Sequence, residues 1–252
     1  MNAEHGSALV PGWFGKMPCL GDFASRRLDS DFIAMWDDWL QRSIAASRQS
    51  LGEAWLDTFL KAPMWRFVLM PGACGTDAWA GLMLPSVDRV GRYFPLTFAL
   101  PVPGIKGDIT SLFAARNWYQ GLEQVGLLAL SAEFSAEALE AHLERNPFPL
   151  LLDTPERHEV DEILRWWREP GAPRSVELSD GVSLTEMMDR SAAALISEAA
   201  AGRTLWWSVS PEAGTTEVHC ATGLPPESYF EVLLRGEPAV QPLEIDVQAL
   251  RI

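Results

Sequence analysis

The 252-residue chain has few cysteines and few histidines, and both shortages exclude classes of site. The three cysteines, Cys19, Cys74 and Cys220, form no Cys-x-x-Cys pair, so neither a disulfide framework nor a thiolate metal site is expected. The four histidines are too dispersed along the sequence to suggest a metal cluster. The sequence therefore predicts a protein of a reducing compartment with no metal and no cofactor.

Basic charge is also scarce. The chain has 20 Lys and Arg against 34 Asp and Glu, a formal net charge of -14. Residues 127–252 carry most of the excess, with 22 acidic and 9 basic side chains. Such a surface repels a phosphate backbone, so nucleic acid is not expected as a partner.

A long hydrophobic run is missing as well. The longest stretch without a charge, residues 93–105, contains three prolines and is shorter than the roughly 20 residues of a membrane span. The first 15 residues contain no Lys or Arg and no apolar segment typical of a signal peptide. We therefore expect a cytoplasmic protein without membrane insertion.

Apolar periodicity predicts a chain of helices and strands within one domain. Helices are predicted over residues 31–50, 53–60, 112–130, 136–144, 159–169, 185–201 and 226–234, with Ser30 and Ser135 as N-caps. Strands are predicted over residues 64–70, 78–84, 94–100, 204–209 and 217–221, the last two as a hairpin. The first three strands are almost continuously apolar, which indicates a sheet covered on both faces. No linker divides residues 1–252, and the tail after about residue 237 carries only a weak pattern.

Eleven tryptophans are the most unusual feature of the composition. Most of them lie within predicted helices and strands, so we expect them to pack in the core or in an interface. These are Trp36, Trp39, Trp55, Trp65, Trp79, Trp166, Trp167, Trp206 and Trp207.

Motifs of catalysis are missing. Residues 12–16 superficially match a phosphate-binding loop, but Val10 stands where a glycine is needed and Met17 where a Ser or Thr is needed. A zinc-protease motif beginning at His158 has Glu162 in place of its second histidine. A Gly-x-Ser-x-Gly nucleophile elbow does not occur. None of these three catalytic motifs is therefore present in the sequence.

Two segments combine charges with glycine, proline and aromatic residues, namely residues 12–23 (GWFGKMPCLGDF) and 85–95 (PSVDRVGRYFP). We call them the first and second motif loops. Charges near buried strand ends must be paired or used, because an isolated buried ion is costly. One interpretation is an ion-pair network in which Asp22 or Asp88 accepts from Arg66, Arg89 or Arg92. The other is a surface recognition site, since loops on a rigid sheet often carry binding function.

Together with residues 36–40 (WDDWL) and 63–67 (PMWRF), the two motif loops resemble the TagF proteins associated with type VI secretion. Residues 203–208 and 223–225 resemble later segments of the same family. The resemblance implies an α/β fold, a three-layer αβα sandwich with a central mixed sheet. It also implies a post-translational repressor of the secretion apparatus, without enzymatic activity, that binds the forkhead-associated scaffold protein or another component of the apparatus. The motif residues that it marks as candidates for interaction or ion pairing are Lys16, Asp22, Ser86, Asp88, Arg89 and Arg92.

Two other functions stay open from the sequence. The chain is a sensor or enzyme for an anion or phospho-group if Lys16, Arg89 and Arg92 converge on a cleft with free donors. It is a structural subunit if it stays in the assembled apparatus at stoichiometric amounts.

Overall fold

The computed structural model describes residues 9–102, 110–149, 164–168, 175, 177–178, 181, 183–210 and 215–236. The strands are β1 (Gly12–Gly15), β2 (Ala24–Arg26), β3 (Trp65–Leu69), β4 (Ala78–Leu84), β5 (Leu96–Val102), β6 (Arg203–Ser210) and β7 (Thr215–Thr222). The helices are α1 (Ser30–Leu51), α2 (Trp55–Lys61), α3 (Thr110–Ala114), α4 (Arg116–Ala129), α5 (Ala136–Glu144), α6 (Leu184–Ala199) and α7 (Phe230–Arg235). Short 3-10 turns, Gly52–Ala54 and Glu227–Tyr229, lead into α2 and α7.

The seven strands form one sheet in the order β2-β1-β5-β4-β3-β6-β7. The predicted α/β class is confirmed. The prediction of a mixed sheet is wrong for the described residues, because each strand pair is antiparallel. The reason is visible in the connections: residues 70–77 and 85–95 join neighbouring strands without a helix, whereas a parallel pair needs a crossover of a dozen or more residues.

The sheet separates two hydrophobic cores, which gives the predicted three layers. Successive side chains of β4 alternate between them, with Leu82 in the first core and Met83 in the second. Helices α4 and α5 cover the first core through Tyr119, Leu122, Leu139 and Leu143. Helices α1, α2 and α7 cover the second through Phe32, Trp36, Trp55, Phe59, Phe230 and Leu233. Burial on both faces accounts for the continuous apolar strands.

Tryptophans dominate the second core. The Trp36 indole N–H donates to Thr97 Oγ1 over 3.0 Å, and both side chains are fully buried. Core packing is confirmed for seven of the nine tryptophans named above, Trp36, Trp39, Trp55, Trp65, Trp79, Trp206 and Trp207. Trp167 is 43 % exposed and so does not pack in the core, while the interface alternative stays a prediction for it.

Most element positions agree with the sequence pattern. The hairpin is confirmed as β6 paired with β7, and α5 has the predicted bounds with Ser135 as N-cap. The helix predicted over residues 112–130 is wrong in one respect, because it is divided at Ala115 into α3 and α4. Of the helix predicted over residues 159–169, only 164–168 lie among the described residues, and they are helical. The tail after residue 237 lies outside them.

Two predictions fail at the start of the chain. The first motif loop contains strand β1, and β2 follows directly after it, although neither strand was predicted. Helix α1 is capped by Asp29, whose carboxylate accepts from the backbone N–H of Asp31 over 2.7 Å, and not by Ser30. Within the described residues, no helix is both long and apolar enough to cross a bilayer.

Candidate functional site at the two motif loops

Strand pairing brings the two motif loops together. Strand β1 pairs with β5, and the second motif loop leads directly into β5. Lys16 follows β1, and its carbonyl accepts a 2.7 Å hydrogen bond from Ser86 Oγ at the start of the second loop. The backbone N–H of Arg89 donates to the carbonyl of Leu20 over 2.9 Å. These two hydrogen bonds join the second loop to backbone carbonyls of the first.

The carboxylate of Asp88 is the centre of the site. Its Oδ2 lies 2.9 Å from Lys16 Nζ and 2.6 Å from Arg92 Nε. Its Oδ1 accepts the backbone N–H groups of Val90 and Arg92 over 3.0 and 2.8 Å. Both oxygens are thus occupied twice, and the side chain has no solvent exposure. Lys16 is also buried, so this ion pair lies within the protein interior.

The surroundings of Asp88 hold it in the ionised form. Burial by itself raises the pKa of this carboxyl. The hydrogen bonds from the Arg92 backbone, the Lys16 ammonium and the Arg92 guanidinium, with the charge of Lys16, outweigh burial. The pKa of Asp88 therefore lies well below its ordinary value, and Lys16 has a charged partner at neutral pH.

Asp88 also shapes the tip of the second motif loop. The Gly91 N–H donates to the Asp88 carbonyl over 3.0 Å, which closes a β-turn with Arg89 and Val90 at its central positions. The Asp88 N–H in turn donates to the Arg92 carbonyl over 3.0 Å. Gly91 adopts φ +85°, a conformation that favours glycine. We call residues 88–92 the Asp88 turn.

The remaining candidate residues lie at the surface of this network. The Arg92 side chain is half exposed, and its Nη2 donates to the Gly21 carbonyl over 2.6 Å and lies 3.4 Å from Asp22 Oδ1. The carboxylate of Asp22 is 79 % exposed, so this second ion pair is weak. Arg89 is exposed, and its guanidinium lies over Gly21. Among the described residues, the Arg89 guanidinium has no hydrogen-bond or ion-pair partner.

The structure therefore brings all six candidates together. Arg92 forms ion pairs with Asp88 and Asp22, as the ion-pair interpretation allowed, but Arg66 does not reach either carboxylate. Its guanidinium instead binds Glu123 of α4 through two hydrogen bonds of 2.8 and 2.9 Å. The Arg66 side chain leaves the sheet on the first-core face, opposite α1, and α4 is the helix on that side.

Sequence reasoning missed two exposed apolar side chains beside the network. Phe23 is 43 % exposed and stacks on Phe14, with the edge-to-face contact of Phe94 at 4.7 Å between ring centroids. Lys16 Nζ lies 4.7 Å from the centre of the Phe23 ring. Val90 is 66 % exposed at the tip of the Asp88 turn. In the sequence, the only sign of an exposed apolar residue at a loop tip was Val90 followed by Gly91 within a charged loop.

A second group of side-chain bonds fixes the chain at Arg27, directly after β2. Arg27 donates to the Pro11 carbonyl over 2.9 Å and forms an ion pair with Glu140 of α5, and the Trp13 indole N–H donates to the same carboxylate. Arg27 has φ +57°, which is uncommon for a residue other than glycine. These bonds tie β1 and the residues after β2 to the α5 side of the sheet.

The arrangement limits what these groups can do chemically. Lys16 donates to Asp88 and is neither a free nucleophile nor a free anion receptor. Burial raises the pKa of the Cys19 thiol, so a reactive thiolate is disfavoured at neutral pH. Within the part of the chain that the structure describes, no three His, Cys, Asp or Glu side chains are placed to hold a metal ion.

Fold and site together define a class: a three-layer α/β domain with an antiparallel seven-stranded sheet and two motif loops bonded around one buried carboxylate. Residues 12–146 match the model of the TagF N-terminal domain, described as type VI secretion system-associated. This match covers more than half of the chain and includes both motif loops. The chain belongs to the TagF family and is a type VI secretion-associated protein.

A solved structure is similar over nearly the whole chain. The crystal structure of PA0076 from Pseudomonas aeruginosa PAO1 superimposes with a TM-score of 0.71 at 33% sequence identity. The similarity covers 94% of this chain and 99% of that chain. No curated protein sequence matches the chain.

Proposed function

We propose that this protein is a non-catalytic cytoplasmic regulator that represses type VI secretion post-translationally by binding the forkhead-associated scaffold protein. Membership of a family associated with that secretion system supports the biological setting. The observation that carries the proposal is the occupancy of Asp88, because two bonds from the charged groups of Lys16 and Arg92 and two from backbone N–H groups fix the shape of the loop. A loop held in shape serves recognition of a surface.

The same occupancy argues against a catalytic role for these residues. A general acid or base needs a proton that it can exchange with a substrate. Asp88 is held ionised and buried, and Lys16 is buried beside it. Neither side chain is placed to reach a substrate without breaking the network.

An anion sensor has weaker support. That function requires Lys16, Arg89 and Arg92 to direct free donors at one cleft. Lys16 and Arg92 Nε donate to Asp88, and Arg92 Nη2 donates to the Gly21 carbonyl. Of the three side chains, only that of Arg89 lacks a partner among the described residues, so the three do not direct free donors at one cleft.

We also propose that residues 1–252 act as one domain. The family match ends at residue 146, but strand β6 pairs with β3 at the centre of the sheet. Trp206 of β6 lies in the second core against Trp36 of α1. Residues on both sides of the match boundary therefore share one core.

The test has two parts, binding and turnover. Purified protein is titrated with the purified forkhead-associated scaffold protein by calorimetry, and we expect a saturable complex. In cells, overproduction is expected to lower secretion without changing the amount of the scaffold. A saturable complex without repression, with this protein found at stoichiometric amounts in the isolated apparatus, would instead support a structural subunit. Turnover of a phosphorylated substrate that is lost on Arg89→Ala would support the enzyme.

A further inference from the structure

We propose that the Asp88 turn and Phe23 form the docking surface of this regulator, and that its occupant is an acidic protein segment with an apolar side chain flanked by carboxylates. The inference rests on the proposed function, because it assigns a surface and a partner chemistry to that binding role.

The geometry of the turn is the first reason. Arg89 and Val90 occupy the central positions of a β-turn whose base is held by the Asp88 carboxylate. Because central turn residues project away from the chain that enters and leaves, both side chains are presented outward. Ordering is complete before any partner arrives, which lowers the entropic cost of binding.

Exposure is the second reason. Val90 is 66 % exposed and Phe23 is 43 % exposed, and both belong to segments that are bonded side by side. Leu20 accepts from the backbone of Arg89, and Gly21 accepts from the side chain of Arg92. The aromatic ring of Phe23 is held by Phe14 and Phe94, so it is exposed but not free to turn inward. A held, half-exposed aromatic ring is typical of an interface anchor.

Charge is the third reason, and it selects the partner. The whole chain carries -14, but the charged residues of the two motif loops are Lys16, Asp22, Asp88, Arg89 and Arg92, a formal net charge of +1. Lys16 and Asp88 are buried against each other, which leaves the two arginines and Asp22 at the surface. The Arg89 guanidinium is exposed and has no hydrogen-bond or ion-pair partner among the described residues, so its donors are available to a partner. An acidic segment satisfies these donors, whereas a basic segment is repelled by them.

Glycine at position 21 keeps the arginine in place. A Cβ at Gly21 would lie 3.2 Å from the Arg89 guanidinium, so a larger side chain there displaces the arginine or crowds it. The close approach aligns the guanidinium with the backbone of the first motif loop. The partner thus meets an arginine held against the first motif loop, which also carries the exposed ring of Phe23.

The test compares two variants with two matched controls. Arg89→Glu and Val90→Asp alter the proposed surface. Arg203→Glu alters an exposed arginine at the start of β6, and Val218→Asp alters a valine that is 60 % exposed on β7. The probe is the purified forkhead-associated scaffold protein, with and without phosphatase treatment. Thermal melting of each variant checks that the fold is retained.

Each outcome decides between the surface and the function. We expect each surface variant to weaken binding about tenfold or more and each control to change it less than about twofold. In cells, the two surface variants are expected to lose repression at equal protein levels while the controls keep it. If all four variants bind the scaffold as tightly as the wild type does, the proposed docking surface is wrong and the proposed function is unaffected. Binding lost after phosphatase treatment would identify a phosphate in place of the carboxylates and overturn the acidic segment.

The cell assay separates the remaining cases. If the wild type represses without binding the scaffold, the named partner is wrong and loss of repression in Arg89→Glu and Val90→Asp still decides the surface. If the wild type neither binds nor represses, the proposed function fails and the surface assigned to it fails as well.

Discussion

Asp88 is buried and both of its oxygens are fully hydrogen-bonded. This combination determines how much stability a substitution of its partners costs. A buried charge is costly when it loses its partner, whereas exposed ion pairs contribute little. The two lysines that form ion pairs with aspartate in the described residues, Lys16 and Lys61, represent the two extremes. Lys16 and its partner Asp88 are buried, while Lys61 and its partner Asp57 are both mostly exposed.

Lys16→Met is expected to lower the free energy of unfolding by roughly 3 kcal/mol, because it leaves a buried carboxylate with one charged partner instead of two. Lys61→Met serves as the matched control and is expected to change stability by less than about 0.5 kcal/mol. Urea unfolding followed by tryptophan fluorescence measures both. Equal effects of the two substitutions would show that the Lys16 pair contributes no more than a surface pair.

Acid sensitivity is the second residue-scale prediction. The pKa of Asp88 is lower in the folded protein than the ordinary value of about 3.9 in an unfolded chain. Its ionised form therefore stabilises the fold at every pH above about 4, and this contribution is lost as the pH falls from there toward the folded pKa. The stability difference between wild type and Asp88→Asn is expected to be constant from about pH 5 to 8 and to shrink below about pH 4. A difference that grows in acid would contradict the sign.

The sequence predicted which residues form the site better than it predicted which of them pair with each other. All six candidates meet because they lie in two loops that the sheet places side by side. The partner of each arginine was not predictable from sequence, since it depends on the face of the sheet from which the side chain leaves. Arg66 lies on the first-core face and binds Glu123, 57 positions away.

At the scale of elements, long periodic segments were predicted and short irregular ones were missed. Strand β1 was not predicted because glycine is unusual within strands. The structure shows why glycine is there: a Cβ at Gly15 would lie 2.2 Å from the Pro95 carbonyl oxygen, where β1 approaches the start of β5. The break at Ala115 is marked by neither glycine nor proline.

The start of α1 provides the element-scale prediction. Asp29→Ala removes the carboxylate that accepts from the Asp31 N–H and is expected to cost about 1 kcal/mol. Ser30→Ala is expected to change stability by less than about 0.5 kcal/mol, because Ser30 is the first helical residue and does not cap the helix. Chemical denaturation of the two variants compares them directly. A larger loss of stability for Ser30→Ala than for Asp29→Ala would show that Ser30 caps the helix, as the sequence pattern predicted.

At the scale of the whole molecule, charge is divided between two regions. The motif loops carry a small positive charge, whereas residues 127–252 hold 22 of the 34 acidic side chains. The sequence alone established the acidic excess of residues 127–252, because it needs only counting. Which acidic side chains are exposed required the structure, and Glu133 and Glu144 are exposed on the α5 side.

This division predicts how association with the scaffold depends on salt. Attraction between this acidic half and a basic face of the scaffold, separate from the acidic segment that docks at the motif loops, acts during encounter and is screened over about 10 Å at 0.1 M salt. We therefore expect the association rate constant to fall as ionic strength rises and the dissociation rate to change little. Stopped-flow mixing between about 20 and about 300 mM salt measures the slope. Glu133→Gln with Glu144→Gln is expected to flatten it if the acidic half steers encounter. Glu53→Gln with Asp77→Asn makes the same change of charge at exposed sites in the first half of the chain and serves as control. An association rate indifferent to salt would remove electrostatic steering while leaving the docking surface at Arg89 and Val90 to its own test.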